Sequence, residues 1–203
     1  RLVRRFVPPP PAGPSESLGK PVKGYQFTDV KGTPVTASSL EGKIAVFDFW
    51  ATDCAPCKEG TPMLERAYQQ LKSDEDVAFF GVSTDPKGLP TAIVEKTLKS
   101  WGASFPLLRD LEKNAFYSLG VQATPTLLVI GPDNRLQASH LGPLEDAEDL
   151  VAKIRQLQGG ENLVELAREE HAKQLKQHVA ILDAATLETS LVGGEPDHSE
   201  IAT

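Results

Sequence analysis

Apolar residues in this chain come either as short solid runs or at helical spacing. IAVFDFWA (44–51) is aromatic-rich, follows Gly42-Lys43 and carries a single acid, so it predicts a buried strand. VAFFGVST (77–84) and TLLVI (126–130) predict two more. Between the first two, APCKEGTPMLERAYQQLKS (55–73) sets Met63, Leu64, Ala67, Tyr68 and Leu71 on one helical face. TAIVEKTLKSWG (91–102) and LEKNAFYSLG (111–120) predict helices stopped by glycine. GPDN (131–134) predicts a hairpin turn into RLQASHLG (135–142). EDAEDLVAKIRQLQGG (145–160) predicts a helix whose first-turn acids suit its dipole. Ahead of all these, residues 20–42 predict a leading hairpin.

The resulting order is β-α-β-α-α-β-β-α. Strands joined by helices imply an α/β fold with parallel pairing and helices on both faces, closed by one antiparallel hairpin. Residues 1–19, with Pro8 to Pro11, read as a linker that builds no core. Residues 20–160 read as the globular domain. Residues 161–203 read as an acidic helix, with Leu163, Ala167, Leu175, Val179, Leu182 and Thr186 along one face, and then a disordered tail.

Charge narrows the function classes. The net charge is −7, and 158–203 supplies −6 of it from nine acids and three bases. The remainder is near neutral with no basic stripe, which argues against nucleic-acid binding. No apolar stretch is long enough to span a bilayer. The opening RLVRRFVPPPPAGP reads as cut from something longer, and no leader is visible.

The two cysteines, Cys54 and Cys57, carry the candidate chemistry. A structural zinc site needs four ligands, and no histidine pair stands at zinc-finger spacing to complete one. A structural disulfide here closes too short a loop to restrict the unfolded chain much. A redox pair fits better, because Cys-x-x-Cys just after a buried strand and at a helix start is a thioredoxin-like motif. The helix N-terminus stabilises a thiolate at Cys54, and Cys57, one turn on, can resolve a mixed disulfide. Pro56 sits where its missing N–H costs nothing. Thr124-Pro125 stands directly before a strand, a position open to an ordinary trans proline as well as to a cis one.

FDFWATDCAPCKEGTP (47–62), FPLLRD (105–110), GVQATPTLLVIGPDNRL (120–136) and Gly142 together resemble the TlpA/ResA-like thiol–disulfide oxidoreductases of the thioredoxin superfamily, over about 20–157. The resemblance implies a thioredoxin-like fold with a central mixed sheet, an N-terminal hairpin and a TlpA-type insertion between VSTD and GVQATP. It implies Cys54 as nucleophile, Cys57 as resolving thiol and Pro125 as a cis-proline that frees the Thr124 backbone to pair with an extended partner. Trp50 would pack behind the pair, and Trp50, Ala55, Pro56, Thr124 and Pro125 would serve substrate binding. Asp48 would be a buried acid exchanging a proton with Cys57, although a core acid satisfied by hydrogen bonds also fits. No metal and no cofactor beyond the redox disulfide is implied. Partners would be protein thiols or disulfides and an upstream electron donor. The setting would be extracytoplasmic redox homeostasis or cytochrome c biogenesis, with a membrane tether before Arg1.

Three positions depart from the family pattern. Asp53 replaces a large aromatic, and its charge should disfavour a Cys54 thiolate. Gly60 stands where many relatives place an acid, with Glu59 one position earlier. VAFFGV lacks the lysine that thioredoxin sets beside its buried aspartate. Two other functions stay open at this point. One is a peroxiredoxin-like peroxidase, although Ala51 holds the position where that family wants threonine. The other is a non-catalytic interaction or sensor domain.

Overall fold

A computed structural model of the chain describes residues 16–22 and 24–192, with side chains through residue 180. The Pro8–Pro11 run and the tail GGEPDHSEIAT lie outside the described residues. The chain divides into two compact units. One is Ser15–Val164; of the other, Glu165–Val192 is described.

The elements in order are β1 (Gln26–Asp29), β2 (Pro34–Thr36), a 3-10 turn (Ala37–Leu40), β3 (Ile44–Trp50), α1 (Ala55–Leu71), β4 (Val77–Ser83) and α2 (Thr91–Ser100). Then come β5 (Leu107–Arg109), α3 (Asn114–Ser118), β6 (Thr126–Ile130), β7 (Leu136–Leu141), α4 (Ala147–Gln158) and α5 (Leu163–Val192). One sheet holds all seven strands in the order β2-β1-β5-β4-β3-β6-β7. The leading hairpin, the strand runs and the long helices fall where the hydrophobic pattern puts them. Strand β5 does not: its three residues carry too short a signal, and it exists because β4 and β1 pair with it on either side. Helix α3 is also shorter than its pattern. Lys113, at φ 54, holds a left-handed conformation that keeps 111–113 outside the helix.

The sheet is mixed. β3, β4 and β5 run parallel, whereas β6 runs antiparallel to β3, contrary to the parallel pairing expected of a helix-linked strand. The register shows what this reversal does. Phe49 pairs with Thr126, so β6 begins where β3 ends. Pro125 is thereby delivered beside the segment that leads into Cys54.

Alternation along β3 sorts the core into two layers. Phe47 and Phe49 face a cluster of Tyr25, Phe27, Val82, Leu108, Leu128 and Ala115. Within it Phe27 meets Phe47 edge-on at 5.0 Å. Val46, Asp48 and Trp50 face the other side with Phe79, on which Tyr68 of α1 packs at 5.6 Å. Each fully buried aromatic or aliphatic side chain contributes about 1.5–3 kcal/mol. α4 lies against α1 and β3, with Ile154 fully buried.

Candidate active site

The site is built on the exit of β3. After Trp50 the chain makes a tight turn through Ala51, Thr52 and Asp53, then enters α1 with Cys54 as its N-cap. Cys54 has extended backbone angles (φ −89, ψ 99), and its sulfur accepts the Cys57 N–H at 3.3 Å. Sulfur here fills the place that an oxygen takes in an ordinary helix cap. The two cysteines form a disulfide, with Cα atoms 5.3 Å apart. Cys54 is half-buried, while Cys57 is only 2% exposed. The Thr61 hydroxyl donates to the Cys57 carbonyl at 2.8 Å. Pro62, inside the helix, has no N–H to donate to Lys58.

The expected partner residues divide cleanly. Ala55 and Pro56 are exposed beside Cys54, and Thr124 is half-buried. The Thr124–Pro125 bond is cis. The Pro125 carbonyl accepts the Gly142 N–H at 2.9 Å, which ties this loop to the end of β7. Trp50 packs behind the pair, but at 1% exposure it offers no contact surface, which corrects its assignment to substrate binding alone. It packs edge-on against Trp101 at 5.1 Å, and its indole nitrogen has no hydrogen-bond partner among the described residues.

Asp48 lies in the middle of β3 at 4% exposure, on the layer covered by α1. Its cross-strand neighbours are Gly81 and Leu127, neither of which can offer a charge. Gly81 is small for a steric reason: a Cβ there would stand 2.8 Å from Phe105 and 3.2 Å from the Trp50 indole nitrogen. Aromatic packing thus occupies the space beside Asp48 on β4. Burial pushes the Asp48 carboxyl up to about 7.

The departures from the family pattern have structural counterparts. Asp53 is exposed. Gly60 is buried against the 143–144 backbone, where a Cβ would come within 3.1 Å of Pro143 and 3.2 Å of the Leu144 nitrogen. A side chain at 60 therefore fits only if the 143–144 segment gives way by a few tenths of an ångström.

One group of residues escaped the sequence reading. Asp85, just beyond β4, accepts the Thr52 N–H at 3.1 Å and the Thr52 hydroxyl at 2.7 Å. Its other oxygen accepts the Ser83 hydroxyl at 2.8 Å. Arg109, 2% exposed, donates to the carbonyls of Asp85, Pro86 and Leu89 and to the Thr91 hydroxyl. Burial lowers the Arg109 pKa, and the Asp85 charge opposes that. Asp110 accepts the Phe116 N–H at 2.6 Å and is raised by burial, against the pull of α3 backbone donors. The visible signal was charge inside apolar runs, in VSTD and FPLLRD, but nothing local says which charges meet.

One sulfur offered at a helix start, a second sulfur buried behind it and a cis-proline loop alongside define the class: a thioredoxin-like thiol–disulfide oxidoreductase. The chain belongs to the AhpC/TSA family, whose model matches residues 18–139, and the curated proteins it resembles are thiol-disulfide oxidoreductases named ResA. It is 26% identical over 139 residues to the thiol-disulfide oxidoreductase ResA of Halalkalibacterium halodurans, covering 68% of this chain and 76% of that protein. It is 29% identical over 122 residues to ResA of Bacillus subtilis, covering 60% of this chain and 66% of that one. The fold matches the thioredoxin domain of a thiol-disulfide oxidoreductase from Bacteroides vulgatus, with TM-score 0.58, 23% identity and coverage of 70% and 98%. It also matches StoA of Bacillus subtilis, with TM-score 0.54, 21% identity and coverage of 64% and 94%. These relatives do not favour the peroxidase reading.

Proposed function

We propose that the domain reduces a disulfide in an extended segment of a protein partner, with Cys54 attacking and Cys57 resolving. The observation that carries this reading is the asymmetry of the pair, one sulfur reachable at the helix start and the other buried behind it. In the reduced protein the Cys54 thiolate attacks one sulfur of the partner disulfide. A Cys54–partner bond forms, the partner S–S bond breaks, and the departing thiolate takes a proton from solvent. Cys57 then passes its proton to the Asp48 carboxylate and attacks the Cys54 sulfur. The internal disulfide forms and the second partner sulfur leaves, so two electrons have reached the partner. An upstream dithiol donor returns them, and no cofactor beyond the disulfide takes part. A near-neutral Asp48 suits the proton step, since it accepts and releases at ordinary pH. The partner backbone pairs with Thr124 beside Pro125, next to exposed Ala55 and Pro56.

The resemblance to ResA supports an extracytoplasmic location, a tether before Arg1 and a setting in redox homeostasis or cytochrome c biogenesis. No helix among the described residues is long and apolar enough to cross a membrane. The test is the reduction potential of the Cys54–Cys57 couple, together with sequential thiol labelling of the reduced protein. A potential near about −270 mV, with Cys54 labelled first, supports a reductant. A potential near about −120 mV overturns the direction of transfer, and equal labelling of the two thiols overturns the assigned roles.

A further inference from the structure

We infer that Asp85 is a positioning residue for Cys54, acting through Thr52. The inference rests on Cys54 being the attacking thiol. Thr52 lies two residues before Cys54, in the turn that aims the helix start, and both its N–H and its hydroxyl end on the Asp85 carboxylate. No other side-chain bond is recorded for the turn 51–53 among the described residues. Its main chain is closed by the Cys54 N–H donating to Ala51 at 3.1 Å. Asp85 is therefore the fixed point from which this turn hangs.

Asp85 is itself held from three directions. The Ser83 hydroxyl occupies Oδ2, and the same hydroxyl accepts the Asp85 N–H at 3.2 Å. The Arg109 guanidinium grips the main chain at Asp85, Pro86 and Leu89, so the loop that carries Asp85 cannot drift. Thr84 donates its N–H to the Trp50 carbonyl at 2.9 Å, locking the exit of β4 to the exit of β3. Asp110 extends the chain of contacts, giving its N–H to Ser83 and accepting the first amides of α3. The redox turn is thus anchored by β4 and β5 and not by the helix it precedes.

The anchor has a chemical consequence. The thiolate at an N-cap is stabilised by amide donors only while its sulfur stays aligned with the first helical turn. A turn held by a carboxylate keeps that alignment when the disulfide opens and Cys54 is released from Cys57. Loss of the Thr52 hydroxyl removes one of two bonds to Asp85 without changing any charge. It should raise the Cys54 pKa.

The experiment is a two-by-two cycle of Thr52→Val and Asp85→Ala, read by the Cys54 thiolate titration and the alkylation rate at neutral pH. Thr52→Ser serves as the conservative control, and thermal melts check folding. Thr52→Val is expected to slow alkylation by about three- to tenfold, the worth of one net hydrogen bond, and Thr52→Ser to restore the parent rate. In the Asp85→Ala background the Thr52→Val effect should vanish. If Asp85→Ala does not fold, Asp85→Asn replaces it, and the effect should fall by at least half. An unchanged Cys54 pKa in Thr52→Val, even with a lower melting temperature, overturns the inference. So does an equal Thr52→Val effect with and without Asp85. If Cys54 in the parent protein is no more reactive than Cys57, it is the assignment of the nucleophile that fails, a distinct result.

Discussion

Replacing Asp48 with asparagine should change how stability depends on pH. Burial holds the Asp48 proton until about pH 7 in the folded protein, against an ordinary value of 3.8. Below pH 3.8 both folded and unfolded chains are protonated, and the group makes no difference. Between 3.8 and about 7 the unfolded chain loses its proton while the folded one keeps it, so stability falls as pH rises. Above about 7 the loss is complete. At about 1.4 kcal/mol per pH unit the gap amounts to on the order of 4 kcal/mol, a large part of a typical domain's 5–15 kcal/mol. Asp48→Asn has nearly the same shape and does not titrate. Urea melts of the oxidised proteins at pH 4, 5.5, 7 and 8.5 should show the variant gaining on the parent by about 4 kcal/mol from the lowest pH to the highest. A difference that stays constant within about 1 kcal/mol across that range would refute the argument that burial raises this pKa.

Further outcomes follow from neighbouring contacts. Gly60→Ala should lose about 1 kcal/mol in a thermal melt, although glycine-to-alanine in a helix interior ordinarily gains about that much, because the atoms it meets are Pro143 Cα and Cβ and the Leu144 nitrogen, none of them the end of a flexible side chain. Asp53→Asn should lower the Cys54 pKa at low salt and lose that effect near 1 M salt, since an exposed charge is screened; thiolate absorbance against pH at the two salt levels decides it. Arg109→Met should cost about 3 kcal/mol in denaturant, leaving the Asp85, Pro86 and Leu89 carbonyls without their donor; a loss under about 1 kcal/mol would mean that water replaces the guanidinium.

The sequence by itself determined the pieces that depend on near neighbours. Solid apolar runs gave β3, β4 and β6, and helical spacing gave α1 and α4, because backbone preference and side-chain periodicity act within a few residues. Cys54 and Cys57 at a strand-to-helix junction were readable for the same reason, as was Pro125 before its strand. Tertiary structure decided what depends on distant partners. The reversal of β6, which brings Pro125 to the end of β3, comes from pairing across some eighty residues of chain. β5, only three residues long, is a strand because β1 and β4 flank it. Whether Asp48 was a satisfied core acid or a perturbed one turned on what Gly81, Phe105 and Trp50 place around it. The tether from Thr52 to Asp85 spans 33 residues, and hydrogen bonds of that kind leave no periodic mark. A local pattern records which face of an element is buried, whereas which buried polar groups meet is fixed only when the sheet closes.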